Sequence, residues 1–119
     1  MMKTATKRMT QAELTDVFIA AREAAVNELE RGDTDDGGAC NLDSAVIELT
    51  GYPQKLVQAA ADVAGVGAYK LSGRWWAGCY VISTPSAGQG FRRTRIARAA
   101  HKAMEAASGR ECSMYMQMD

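Results

Sequence analysis

The sequence predicts a single α+β domain with elements in the order α-β-α-β-β-α-β, its helices packed mainly on one face of an antiparallel or mixed sheet. Three observations carry that prediction. A capping box at Thr10 opens a long apolar periodicity of helical spacing. Short runs rich in β-branched and aromatic residues fall between glycine and proline punctuation at 39–49, 68–71 and 74–83. An alanine-rich amphipathic segment beginning at Phe91 is followed by a strictly alternating stretch, 111–118.

Each element has a local reason. Residues 1–9 read as a loose basic tail ahead of a domain spanning 10–119. The box Thr10-Gln11-Ala12-Glu13 starts the first helix, Met9 is placed to staple onto Leu14, and Gly32 stops it. Leu14, Val17, Phe18, Ala21, Ala25 and Leu29 give it one apolar face. The acidic stretch GDTDDGG (32–38) is a turn: Asp33 and Asp35 have calcium-loop spacing, but Ser44 stands where the bidentate glutamate belongs. In the strand 39–49, Ala45, Ile47 and Leu49 share a face; Asn41 and Asp43 either line a polar pocket or bond the preceding loop.

Pro53 opens the second helix, with Leu56, Val57, Ala60, Val63 and Ala64 inward, and Gly65 closes it. Strands 68–71 and 74–83 pair as a hairpin around Ser72-Gly73. Adjacent Trp75 and Trp76 then point to opposite faces: one joins the core, and the other is covered by a second subunit or stacks on a flat ligand. On the third helix Ile96, Ala100, Ala103, Met104 and Ala107 form the inward stripe. Cys112, Met114, Met116 and Met118 line one side of the last strand.

Composition narrows the function classes. At 119 residues, 47% hydrophobic and 24% charged, the chain suits one soluble core. No apolar run reaches the roughly 20 residues of a membrane span, and the start MMKTATKRMT lacks a signal-peptide apolar region, so a cytoplasmic location is expected. Cys40, Cys79 and Cys112 form no CxxC pair and His101 is the only histidine, so no metal and no cofactor are expected. Net charge is zero but segregated: residues 10–49 hold ten acidic and two basic side chains, residues 50–119 nine basic and four acidic. Such segregation fits internal pairing or assembly into a homo-oligomer, and makes nucleic acid a poor partner.

The candidate site is the loop Thr84–Gly90 and the helix start after it. Glycines let a backbone approach a ligand, and free N–H groups at a helix start attract anions. Arg92, Arg93, Arg95 and Arg98 crowd that start, where positive charge opposes the helix dipole, and no acid occurs between Asp62 and Glu105. One reading is an anion site for a phosphate-bearing nucleotide: Ser86, Gly88, Gln89 and Gly90 present the loop, Arg92, Arg93 and Arg95 close on the phosphate, and Trp76 stacks on the base. The other is a solvated basic edge, Arg92-Arg95-Arg98-Lys102, paired with the acidic first helix. No Walker or Rossmann fingerprint is present, His101 sits two turns into an alanine-rich helix, and no serine or cysteine has a recognisable activating partner. The expectation is a binder, not an enzyme.

The order of a helix, a Cys40-Asn41-Leu42-Asp43 strand, a hairpin ending Thr84-Pro85-Ser86, Gly88-Gln89-Gly90, a basic alanine-rich helix and Tyr115-Met116-Gln117-Met118-Asp119 resembles small phage- and prophage-encoded proteins. Among these it is similar to the anti-Thoeris sponge family. As an order of elements the resemblance covers most of the chain; as motif it covers residues 80–100 and the last few positions. It implies a non-enzymatic homo-oligomer in the bacterial cytoplasm that sequesters a cyclic ADP-ribose-type immune signal between subunits without degrading it. No pocket residue of that family is matched one by one. The alternative is a phage anti-defence protein, anti-CRISPR-like, that docks on a host nuclease through its acidic first helix and GDTDDGG loop.

Overall fold

In a computed structural model of the protein, which describes residues 8–31, 44–85 and 91–115 without the side chains of Phe91 and Arg92, the first helix starts where its capping signal sits. The Thr10 hydroxyl accepts the Glu13 N–H at 3.1 Å, and Glu13 Oε1 accepts the Thr10 N–H at 2.8 Å. From there α1 (Gln11–Glu30) buries Leu14, Val17, Phe18, Ala21 and Ala25 on one face. Met9 joins the same buried cluster as Leu14, so it belongs to the core rather than to a tail.

The remaining elements are β1 (Ser44–Glu48), α2 (Gln54–Ala64), β2 (Gly67–Lys70), a 3-10 turn at Arg74–Trp76, β3 (Cys79–Ser83), α3 (Phe91–Ser108) and β4 (Ser113–Tyr115). The four strands form one antiparallel sheet in the order β2-β3-β1-β4. This is the α+β class the sequence predicts. Residues 32–43 and 116–119, which carry the acidic loop, the earlier end of the first strand and the end of the last, lie outside the described residues.

Pro53 and Gly65 bracket α2 as expected. Gly65 adopts φ 79°, its N–H and that of Val66 both reach the Ala61 carbonyl, and the chain turns straight into β2. The Gln58 amide donates to the Ala68 carbonyl at 2.7 Å, fastening α2 to that strand. Val63 departs from the expectation: it is 71% exposed, because the buried face of this three-turn helix is filled by Val57, Ala60, Ala61 and Ala64.

Register assigns the two faces of the sheet. Ala45 pairs with Ile82 and Met114, and Ile47 with Tyr80; Ala45, Ile47, Tyr80 and Ile82 share the core with Phe18, Ile96, Ala100 and Met104 of the helices. The expected inward stripe of α3 shifts slightly: Ala97 is buried, whereas Ala103 is half-buried and Ala107 exposed. Strand alternation turns Ser44, Val46, Val81 and Tyr69 to the opposite face. Tyr69 lies back over Gly67, where an added Cβ would come within 2.8 Å of the ring.

The hairpin expected around Ser72-Gly73 is longer than a two-residue turn. Gly73 and Gly78, at φ 100° and 76°, bracket the turn that carries both tryptophans, so Trp75 and Trp76 are not strand neighbours. Neither enters the core: Trp75 is 87% exposed and Trp76 half-buried. A clasp around Tyr52 closes the fold. Its hydroxyl accepts the Met9 N–H at 2.7 Å and Arg110 Nη2 at 2.8 Å. The guanidinium carbons of Arg8 and Arg110 lie 5.0 and 5.5 Å from the ring centroid.

Candidate functional site

The basic helix start is split in two by its own geometry. Arg93 and Arg95 are two residues apart, about 200° around a helix of 3.6 residues per turn, so they leave α3 on different sides. Arg93 lines a crevice with Ser44, Ser83 and Thr84 at one end of β1 and β3, with a volume of about 10 Å³. That is room for roughly one water molecule, not for a phosphate with a nucleoside attached.

Arg95 opens instead onto a groove of about 300 Å³ between α1 and α3. Arg95, Arg98 and Lys102 step along one edge of α3 at helical spacing, and Glu28 and Arg31 face them from the end of α1. The two helices are antiparallel: Glu28 and Arg31 sit beside the first half of α3, while Arg8, Met9 and Glu13 meet Ala107 and Ser108 at its far end. This brings the partial negative end of the α1 dipole to the partial positive end of α3, and Arg31 caps α1 where positive charge is favourable.

Electrostatically the groove is lopsided. Among the described residues, four cationic side chains and one carboxylate, Glu28, line it. Glu28 Oε1 lies 3.4 Å from Arg31 Nη1; the Glu28 side chain is 17% exposed and that of Arg31 is 72% exposed. Glu28 shares the groove with the basic edge of α3, but its ion pair is with Arg31 of its own helix.

Of the predicted site residues, the structure describes the side chains of Arg93, Arg95 and Trp76, and these are not brought into one place. Ser86, Gly88, Gln89 and Gly90 lie outside the described residues, as does the side chain of Arg92. Trp76 meets Tyr115 edge-on, with ring centroids 5.5 Å apart and planes at 78°. Tyr115 pairs in register with Ser44 on β1, and neither ring lines the α1/α3 groove onto which Arg95 opens. Glu28 and Arg31 were missed by sequence reasoning. Their only signal was an acid and a base three residues apart at a helix end, a pattern common on solvated surfaces.

A second polar cluster sits at the end of α3. His101 Nε2 lies 2.9 Å from the Cys112 carbonyl and 3.5 Å from Glu105 Oε2, and the same carboxylate oxygen accepts the Cys112 N–H at 3.0 Å. A carbonyl only accepts, so the hydrogen bond assigns a proton to Nε2. Burial, with the Glu105 charge second, pushes the Cys112 thiol up to about 12. Cys79 is raised by burial and by Glu48, its partner in register. Neither sulfur is a thiolate nucleophile at neutral pH, and the cluster serves to pin the end of α3 to β4. Among the described residues no group of three or more His, Cys, Asp or Glu is placed to hold a metal ion, and no helix is long and apolar enough to cross a membrane.

No protein family, curated protein or solved structure matched the chain in comparisons with known proteins.

Proposed function

We propose that the protein is a non-enzymatic binder of a phosphate-bearing, nucleotide-type ligand, and that it acts by sequestration: a phage-encoded anti-defence sponge working as a homo-oligomer. The observation that carries the reading is the α1/α3 groove of about 300 Å³, which Arg31, Arg95, Arg98 and Lys102 line together. Arginines recognise phosphate through paired, planar hydrogen bonds, and the start of a helix favours a bound anion. The resemblance to the anti-Thoeris sponge family supports the class of ligand and the absence of chemistry. Trp75 and Tyr69, at 87% and 61% exposure, are apolar surface that a second subunit would cover.

The test is calorimetry with nucleotides and cyclic nucleotides on the wild type, Arg95→Ala, Arg98→Ala and Arg93→Ala. Charge-assisted hydrogen bonds contribute about 1.5–3 kcal/mol, so either groove substitution should weaken binding roughly 10- to 150-fold, while Arg93→Ala changes it little. Unchanged affinity together with a lower melting temperature in Arg95→Ala and Arg98→Ala would make these side chains structural partners of α1.

A second reading, docking on a host nuclease, is favoured by one observation. Glu13, Asp16, Glu23 and Glu30 are all exposed and recur along one side of α1. Reversing these charges would abolish inhibition of a host enzyme if that face mimics nucleic acid, and leave nucleotide binding intact.

A further inference from the structure

We infer that a second copy of this chain docks on the outer side of α2, with the two α2 helices antiparallel across a two-fold axis near Gln58 and Ala59. This names the interface, and it rests on the homo-oligomer part of the proposed function, not on the anion site. Among the described residues the exposed large hydrophobic side chains are Val63, Tyr69 and Trp75, and all three fall between the last turn of α2 and the turn that leaves β2. Apolar side chains grouped in this way mark an interaction surface. Charge says what covers it. Lys55 and Asp62 are both exposed, and among the described residues neither side chain is hydrogen-bonded or ion-paired. They are seven residues apart, two turns, so they share one side of the helix about 10 Å apart along its axis. A second α2 running the other way puts each Lys55 opposite the partner's Asp62, which makes two identical ion pairs. A parallel copy would set like charges against each other. The surface is therefore complementary to itself.

The same operation accounts for the apolar groups. Ala59 lies between the two charges, and its small side chain lets the helices approach closely. Val63, 71% exposed and next to Asp62, comes against the first turn of the partner's α2. The Gln58 amide donates to the Ala68 carbonyl at 2.7 Å, which sets the middle of α2 against β2, so the axis also passes that strand and its exposed Tyr69. The Tyr69 ring already lies over Gly67, so docking costs it little further freedom. Addition of strand to strand is not the mode of contact: Ala68 is only 2% exposed, because the helix covers that edge. At 11 residues α2 is about 16 Å long, too short to supply alone the roughly 800 Å² per partner of a standard interface. Tyr69 must therefore add to it, and the dimer should be weak and sensitive to salt.

Sedimentation velocity on the intact chain, from low to high micromolar protein, should show a monomer–dimer equilibrium that shifts toward monomer as salt is raised. Lys55→Asp and Asp62→Lys should each weaken the dimer roughly fivefold or more, and the double swap should restore it to within about threefold of the wild type. The two side chains are too far apart to meet within one protomer, so rescue reports a contact between copies. Tyr69→Ser should weaken the dimer as well. Ala59→Cys, beside the axis, should oxidise to a disulfide-linked dimer, whereas Asp16→Cys on the exposed side of α1 should not, with circular dichroism confirming that each variant folds. The inference is overturned if the double swap fails to rescue, or if Ala59→Cys crosslinks no faster than Asp16→Cys. A dimer that persists in either case uses another face, and the homo-oligomer reading stands. A monomer at every concentration overturns the inference and the homo-oligomer reading together, while calorimetry of Arg95→Ala and Arg98→Ala still decides the anion site.

Discussion

Replacing Tyr52 with phenylalanine removes one oxygen and should unfasten three distant parts of the chain. That oxygen accepts the backbone N–H of Met9, 43 residues away, and Arg110 Nη2, 58 residues away. Both Met9 and Tyr52 are 9% exposed, so in the variant the Met9 N–H is left facing a hydrocarbon ring edge. Losing a hydrogen bond to a charged donor costs about 1.5–3 kcal/mol, and a buried donor left without an acceptor about 1–3 kcal/mol. Arg110 can recover water, which favours the lower half of that range, about 3 kcal/mol in all. An unfolding entropy of roughly 2.1 cal/mol/K per residue gives about 250 cal/mol/K for 119 residues, so the melting temperature should fall by about 12 °C. The ring and its two guanidinium contacts survive in Tyr52→Phe, so the measurement isolates the hydroxyl. Thermal unfolding followed by circular dichroism reads the shift, and a double-mutant cycle with Arg110→Ala should return a coupling near 1 kcal/mol or more. A shift under about 2 °C, or strict additivity in the cycle, would refute the clasp as a source of stability.

Two further substitutions probe the turns and the thiols. Gly78→Ala forces φ 76° on a residue with a side chain and drives its methyl against the Thr50 backbone at 3.1 Å; a loss of about 2 kcal/mol or more is expected in urea titration, and an unmoved midpoint would show that the turn relaxes freely. Cys112 should resist a thiol reagent at pH 8 until the protein unfolds. Its folded-state thiol ionises near pH 12 against an ordinary 9.0, so between those values the folded state holds the extra proton. Its contribution is therefore complete below pH 9 and is lost as pH rises toward 12. Urea midpoints at pH 8, 9.5 and 10.5 should decline in the wild type more steeply than in Cys112→Ser; parallel declines would refute the assignment.

What was legible in the sequence was what neighbours in the chain decide among themselves. The Thr10–Glu13 box, the Pro53 start and the Gly65 stop each involve residues within a few positions, and the structure realises all three. Trp75 and Trp76 were misread because a run of β-formers says nothing of the positive-φ glycines that bend it; Gly73 and Gly78 do so here. Val63 and Ala107 fit the apolar period but lie beyond the width of the neighbouring surface. The site divides the same way. That Arg95, Arg98 and Lys102 share an edge follows from helical spacing, whereas the arrival of Glu28 and Arg31 opposite them depends on how α1 docks. The Tyr52 clasp joins residues 43 and 58 positions apart, and no local pattern announces it.

The place of β4 has a consequence for how safely this chain is made and handled. It pairs with β1 through Ser44–Tyr115, Ala45–Met114 and Val46–Ser113, on the side of β1 away from β3. Without it β1 would be an edge strand offering Ala45-Val46-Ile47, apolar, β-prone and uncharged, to any other chain with an open edge. On the ribosome that edge stays open until roughly 65 further residues have emerged, because the strand that shields it comes after α3. Truncation after Ser108, or a bulky fusion that disturbs 113–115, would therefore trade an intramolecular ladder for intermolecular ones. Three short residues at the end of the sheet act as a guard against self-association of the nascent chain.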